Sequence, residues 1–203
     1  NDSFDVIASN IPFGNFKVLD MDFERMGMPY SQATKTIHNY FFVKAVEKLK
    51  DGGLLAFITS RGVANAPGNR FVRDYLVHHC NMITALRLPD TLFMQTGGVE
   101  VGSDLFIFQK NSHKSDLTTR ERMFLDVAKE MNLHGNVMTE PSNKVFTLPK
   151  TTLATDSSIQ MNQYGKYVRQ YFWKDDEAKM KAQLSSLLQS DFDRYFRKNL
   201  YSG

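Results

Sequence analysis

Apolar residues in this chain follow two rhythms. Four short runs, at residues 4–9, 54–59, 82–88 and 104–109, are rich in Ile, Val, Leu and Phe without strict alternation, the pattern of strands covered on both faces. Between the first two, Phe42, Ala45, Val46 and Leu49 share one face of a helix predicted over 38–50, with Gly52-Gly53 as its stop. A helix over 69–80 aligns Phe71, Val72, Tyr75, Leu76 and His79 and leads into the third strand. This alternation predicts an α/β layer structure, with helices packed on a mostly parallel sheet.

The connections are uneven. Three long polar or glycine-containing stretches, 10–37, 60–68 and 89–103, each follow the end of a strand, whereas the helix-to-strand returns at 50–53 and 81 are short. Ligands of open α/β sheets bind beyond the carboxyl ends of the strands, so the loop lengths point to an active edge on that side.

From Asn111 the character changes. Thr118-Thr119-Arg120-Glu121 reads as a capping box opening a helix whose face is Phe124, Val127, Ala128 and Met131. Residues 133–158 are rich in Asn, Thr, Ser, Pro and Gly and read as a loop or linker. In the stretch 164–174, Tyr164, Lys166, Tyr167, Arg169, Tyr171, Phe172, Trp173 and Lys174 interleave aromatics with bases, a pattern open to a strand or a nucleic-acid groove. A long helix is predicted over 174–200, with Asp175, Asp176 and Glu177 at its start and Arg194, Arg197 and Lys198 near its end, matching the helix dipole. Its Met180, Leu184, Leu187 and Leu188 are expected to pack on something. Residues 1–110 therefore form one unit, and 111–203 a mostly helical extension or linker region.

The 203 residues are 42% hydrophobic and 23% charged, with a formal net charge of +3. That is a globular composition, too weakly basic to establish a nucleic-acid partner. No apolar run approaches the ~20 residues that span a bilayer, and the only cysteine, Cys80, rules out an internal disulfide and suggests a reducing, cytoplasmic setting. The chain reads as a piece of something longer. Its five histidines include no HExxH pair, and it has no CxxC, GxxxxGK[ST] or GxSxG, so zinc, nucleotide-triphosphate and serine-hydrolase chemistries find no support and no metal is expected.

The informative feature is Ser9-Asn10-Ile11-Pro12-Phe13-Gly14, directly after the strand Phe4-Asp5-Val6-Ile7-Ala8. It resembles the catalytic motif of the amino-methyltransferases, an Asp, Asn or Ser followed by Pro-Pro and then Tyr or Phe, with Ile11 in place of the first proline. The resemblance to adenine-specific DNA methyltransferases extends through residue 110. It takes in His38-Asn39-Tyr40-Phe41-Phe42, Leu49-Lys50-Asp51-Gly52-Gly53, Ala56-Phe57-Ile58-Thr59-Ser60, Leu86-Arg87-Leu88-Pro89 and the closing run from Val101 to Lys110, before which the family's glycine loop reads Thr96-Gly97-Gly98.

The resemblance implies a partial Rossmann-like methyltransferase sheet, mostly parallel with an antiparallel closing strand. It also implies catalytic roles for Asn10, Ile11, Pro12 and Phe13. An exocyclic amine is a poor nucleophile because its lone pair is delocalised; acceptors on both its hydrogens, here the Asn10 side-chain oxygen and the Ile11 carbonyl, stabilise the charge that develops as it attacks a methyl sulfonium. Phe13 would stack on an extruded base. Phe13, Gly14, His38 and Arg61 are expected on the substrate side, and Asn10 also beside the cofactor, S-adenosylmethionine. The glycine-rich turn that binds that cofactor is missing from the sequence, so its main binding half is expected upstream in the same protein, and the present segment by itself is expected to be inactive. DNA is the implied partner, in restriction-modification or phage defence, with no membrane. Two other readings stay open at this level: a methyltransferase acting on protein glutamine or RNA bases, and a non-catalytic DNA-binding or scaffold segment.

Overall fold

The computed structural model describes residues 3–11, 14, 16–92 and 102–201. Its centre is a four-stranded sheet in the order β1-β2-β4-β3, formed by β1 (Phe4–Asn10), β2 (Leu49–Ser60), β3 (Cys80–Arg87) and β4 (Ser103–Lys110). β1 and β2 are parallel, with Asn10 opposite Ile58. β4 is antiparallel to both β2 and β3, so β1, β2 and β3 share one direction. The fold is the expected α/β sheet with one reversed strand, and that strand is inserted between β2 and β3 rather than added at the rim.

The faces are set by alternation. Leu55, Phe57, Phe106 and Phe108 point to the main core, where Phe42 of α3 (Ile37–Lys48) lies 5.1 Å from Phe57, ring to ring. Val72 and Leu76 of α5 (Arg70–His79) join the same core. Ile58, Leu105 and Leu86 point the other way, onto a smaller cluster with Leu187 and Leu184 of the long C-terminal helix, α7 (Glu177–Tyr195). Cys80 is fully buried at the α5–β3 junction, and burial pushes its thiol up to about 12, keeping it protonated and inert.

Several local expectations change. Gly52-Gly53 does not stop α3, because Leu49 already closes that helix and enters β2. The glycines lie instead where the β1–β2 register skips, and a side chain at Gly52 would meet the carbonyl oxygen of Leu200 at 2.1 Å. The 10–37 connection contains two short helices, α1 (Met21–Met26) and α2 (Tyr30–Ala33). α4 (Gly62–Asn65) lies within the 60–68 connection.

The capping box at Thr118 forms as read, but α6 (Thr119–Leu125) is short. Arg70 and Arg73 donate to the Leu125 carbonyl at 3.0 and 3.3 Å, and Val127–Ala128 leaves the helix to pair as β5 with β6 (Ser142–Asn143). Of the expected face, Phe124 alone is a helical core residue, lying against Phe106 and Phe108. Val145 and Phe146, in the region read as linker, are also buried in the main core.

The interleaved stretch becomes β8 (Tyr167–Phe172), the second strand of a hairpin with β7 (Asp156–Met161). Residues 111–203, expected to be mostly helical, thus hold two α-helices, this hairpin and two short strands among the described residues, and part of them completes the core of the sheet.

Candidate active site

Because β1, β2 and β3 run in one direction, the 10–37, 60–68 and 89–103 connections all leave the same edge of the sheet. Asn10 stands there, exposed, as the last residue of β1, and its side chain makes no hydrogen bond to a described residue. Ile11 differs sharply. Its backbone N–H extends the ladder, donating to the Ile58 carbonyl at 2.9 Å, and at 1% exposure the whole residue, carbonyl included, is covered. The isoleucine therefore anchors the turn in the core, where a proline could not donate this hydrogen bond. Gly14 follows, partly buried, at φ 155°, where a β-carbon would fall 2.3 Å from the Phe16 ring. Pro12 and Phe13 lie outside the described residues, as do Thr96, Gly97 and Gly98.

The loop after the motif is pinned by Asp20. It caps α1 through the Phe23 N–H and accepts from Lys44 Nζ at 2.8 Å and the Tyr40 hydroxyl at 2.9 Å, and the lysine foremost holds the carboxyl down at about 2. His38 lies in the first turn of α3, half-buried, with Nε2 sealed from solvent and unpartnered among the described residues. Burial pushes its pKa below the ordinary value, favouring the neutral imidazole at pH 7. Beside it Asn39 donates to Asn69 Oδ1 at 2.9 Å, and Asn69 donates to the Gly62 carbonyl at 2.9 Å, tying α3 to the β2 loop.

Arg61 reaches the active edge, but its two terminal nitrogens are engaged, while Nε is buried without a hydrogen-bond partner among the described residues. Nη1 and Nη2 grip Asp90 at 3.1 and 2.6 Å, and the same nitrogens reach the Arg169 and Leu88 carbonyls at 3.5 and 3.4 Å. It is a clamp between the β2 loop, the end of β3 and the hairpin, rather than a free hand for substrate. The clamp lies flat on Gly102, where a β-carbon would fall 2.3 Å from Arg61 Nε. Gly102→Ala should therefore cost about 1–3 kcal/mol of stability. In thermal unfolding this penalty should vanish when the substitution is repeated on Arg61→Ala, since the obstructing side chain is then gone.

The hairpin creates a feature that the sequence reading missed. Between it, the 139–142 segment, Ser60 and Arg61 at the end of β2, and Asn65 of α4 lies a cavity of ≈ 470 Å³. Its floor is a buried ion pair: Arg87 donates to Asp104 at 2.9 and 3.1 Å, and also to Asn65 and Ser142 at 2.9 Å each. Interleaving of aromatics and bases in 164–174 was the one sequence signal for this region. Asp90 carried none, because its role depends on a partner 29 residues away.

On the opposite flank β1 has no second partner among the described strands. Phe4 and Val6 are 52% and 58% exposed and, with Tyr40, Phe41 and Lys44, line an apolar groove of ≈ 520 Å³.

Comparison with known proteins places these features in context. A family model described as N-6 DNA Methylase matches residues 1–179. The chain is 27% identical over 114 residues to the defense against restriction protein B of Escherichia phage P1, covering 55% of this chain and 5% of that protein. Among solved structures, it is similar to the M protein of the type I restriction enzyme EcoKI at 16% identity and TM-score 0.46, covering 95% of this chain and 50% of that one. A modification subunit of a type I restriction enzyme from Vibrio vulnificus YJ016 matches at 15% identity and TM-score 0.46, over 86% of this chain and 38% of that one. The chain thus spans half or less of each of these relatives.

Proposed function

Because the chain belongs to the N-6 DNA methylase family, we propose that it supplies the base-holding half of a methyltransferase acting on the exocyclic amino group of adenine in DNA, within a restriction-modification or anti-restriction system. The observation that carries this reading is Asn10: an unengaged, exposed amide at the carboxyl end of an internal-type apolar strand, opening the family's motif. When bound, S-adenosylmethionine supplies an electrophilic methyl group. Asn10 is proposed to stand beside it, and its exposed amide supports a role between cofactor and base.

In this reading the Asn10 oxygen accepts one amino hydrogen of an adenine extruded from the duplex. Extrusion costs a few kcal/mol, offset by contacts to the DNA elsewhere. The second acceptor, the Ile11 carbonyl, becomes available when the arriving base displaces what covers it. The resulting pair favours a pyramidal nitrogen without a charged base. Phe13 is proposed as the stacking face, and His38, neutral and partly desolvated, as a wall of the base pocket.

The glycine-rich half that cradles the cofactor is proposed to pair along the edge of β1 that no described strand covers. An apolar parallel strand left at a sheet rim is unusual, since such strands are normally covered on both sides, and the groove of Phe4, Val6, Tyr40 and Phe41 offers apolar surface to a covering helix.

Methyl transfer by the intact polypeptide from radiolabelled cofactor to DNA, RNA and protein acceptors tests the assignment. Label recovered as N6-methyladenine in DNA is the expected result. Label on a protein amide or an RNA base, or on no acceptor, would overturn it.

A further inference from the structure

The cavity between the hairpin and the sheet edge is distinct from the Asn10 turn, and its chemistry is specific. Every charged side chain on its wall is already paired. Arg61 holds Asp90, Arg87 holds Asp104, Arg169 holds Glu130, and Lys166 lies 3.7 Å from Glu140. Two neutral amides on the wall keep groups without a hydrogen-bond partner among the described residues. Gln170 is 7% exposed, yet its side chain has no hydrogen bond to a described residue and forms part of the cavity wall. Asn65 uses its oxygen on Arg87 and the Asn143 N–H, leaving its NH₂ without a partner among the described residues. These amide groups carry no partner among the described residues, so a ligand supplying both a donor and an acceptor could engage them.

The mouth is built as firmly as the wall. Asn162 Oδ1 accepts from the Tyr164 and Lys166 N–H groups at 3.0 Å each, and Gly165 takes φ 71°, so the hairpin tip is held in one shape. It presents Tyr164, 76% exposed, at the rim. The β8 edge is fastened in turn by Asp90, whose carboxylate accepts from the Tyr171 N–H at 2.8 Å.

We infer that this cavity is a second recognition pocket, which takes a base of the DNA substrate near the modified adenine, reads its edge through the Gln170 amide and covers its face with Tyr164. A phosphate would meet walls whose cations are already neutralised. A neutral, planar, hydrogen-bonding ring suits them, because glutamine presents a donor and an acceptor side by side, as base edges do, and a tyrosine offers a stacking face. The volume of ≈ 470 Å³ falls in the range of small-ligand sites. Position agrees: Ser60 on the wall is two residues beyond the partner of Asn10, about 8 Å from it by strand spacing and rise.

The inference rests on the DNA methyltransferase reading, and its test separates the two. The intact polypeptide is assayed on DNA duplexes altered one base pair at a time around the modified adenine. Gln170→Leu, which keeps the volume and loses both donor and acceptor, is expected to raise KM for DNA at least about fivefold and to relax discrimination at one position, with kcat held within about twofold. Gln170→Glu, which keeps the acceptor alone, should change the base preferred at that same position, an effect that a merely structural role would not produce. Tyr164→Ala, on the exposed tip, raises KM without threatening the fold. Unchanged KM and unchanged discrimination in all three variants, with the parent active on DNA, would overturn this inference alone. A parent that transfers no methyl to DNA would remove the functional reading and this inference together.

Discussion

Replacing Asn10 with alanine in the intact polypeptide is expected to lower kcat for methyl transfer about 10²–10³-fold, the loss typical when one donor or acceptor is removed from a preorganised electrostatic site. Stability should not follow. The Asn10 side chain is exposed and bonds to no described residue, so the stability should change by no more than about 0.5 kcal/mol. Asn10→Asp, which retains an acceptor, should recover part of the rate. Single-turnover kinetics and thermal unfolding on the same preparations separate the two effects. A variant with parental kcat would remove Asn10 from the chemistry, and one that unfolds would make it a structural residue.

The largest stability effect is expected at Asp104. Its side chain is 0% exposed and faces Arg87, 2% exposed, through two hydrogen bonds, while the guanidinium stacks 4.0 Å from the Phe146 ring centre. Asp104→Ala leaves a buried cation without its counter-charge, and breaking such a pair costs about 3–5 kcal/mol. The reverse logic supplies the control: Arg87→Met combined with Asp104→Leu removes both charges and should recover much of the loss. Recovery stays incomplete, because Asn65 and Ser142 then lose their donor. Urea unfolding of the three variants measures this. A cost below about 1 kcal/mol for Asp104→Ala would mean that water reaches the pair.

The positions of these two predictions explain what could be read in advance. The place of Asn10 at the end of a strand was legible because strand and motif are both local patterns. The capping box at Thr118 and the buried Cys80 were legible for the same reason. The shared edge of the three long loops followed from counting residues between elements, and the common direction of β1, β2 and β3 bears it out. Arg61 shows the limit. A basic residue in an active-edge loop invites a phosphate, but Asp90 and Gly102 claim it, and neither relation appears in the neighbouring sequence. The end of α6 is another case. Its apolar face continues in sequence through Val127 and Ala128, yet Arg70 and Arg73, more than 50 residues earlier, cap the Leu125 carbonyl and turn the chain into a strand.

Sequence by itself determined the alternation of strands and helices, the edge where long loops gather and the asparagine that opens the motif there. Each depends on periodicity or on residues adjacent along the chain, whose energetics are settled within a turn or two of backbone. Tertiary structure alone decided that β4 slips between β2 and β3, that Ile11 is sealed while Asn10 stays open, and that the hairpin closes a cavity walled by Gln170. Those outcomes depend on buried charges and amides finding partners up to 108 residues away, as Arg61 does with the Arg169 carbonyl. Desolvation makes such pairing compulsory, and the chain's own order does not record where the partner will be.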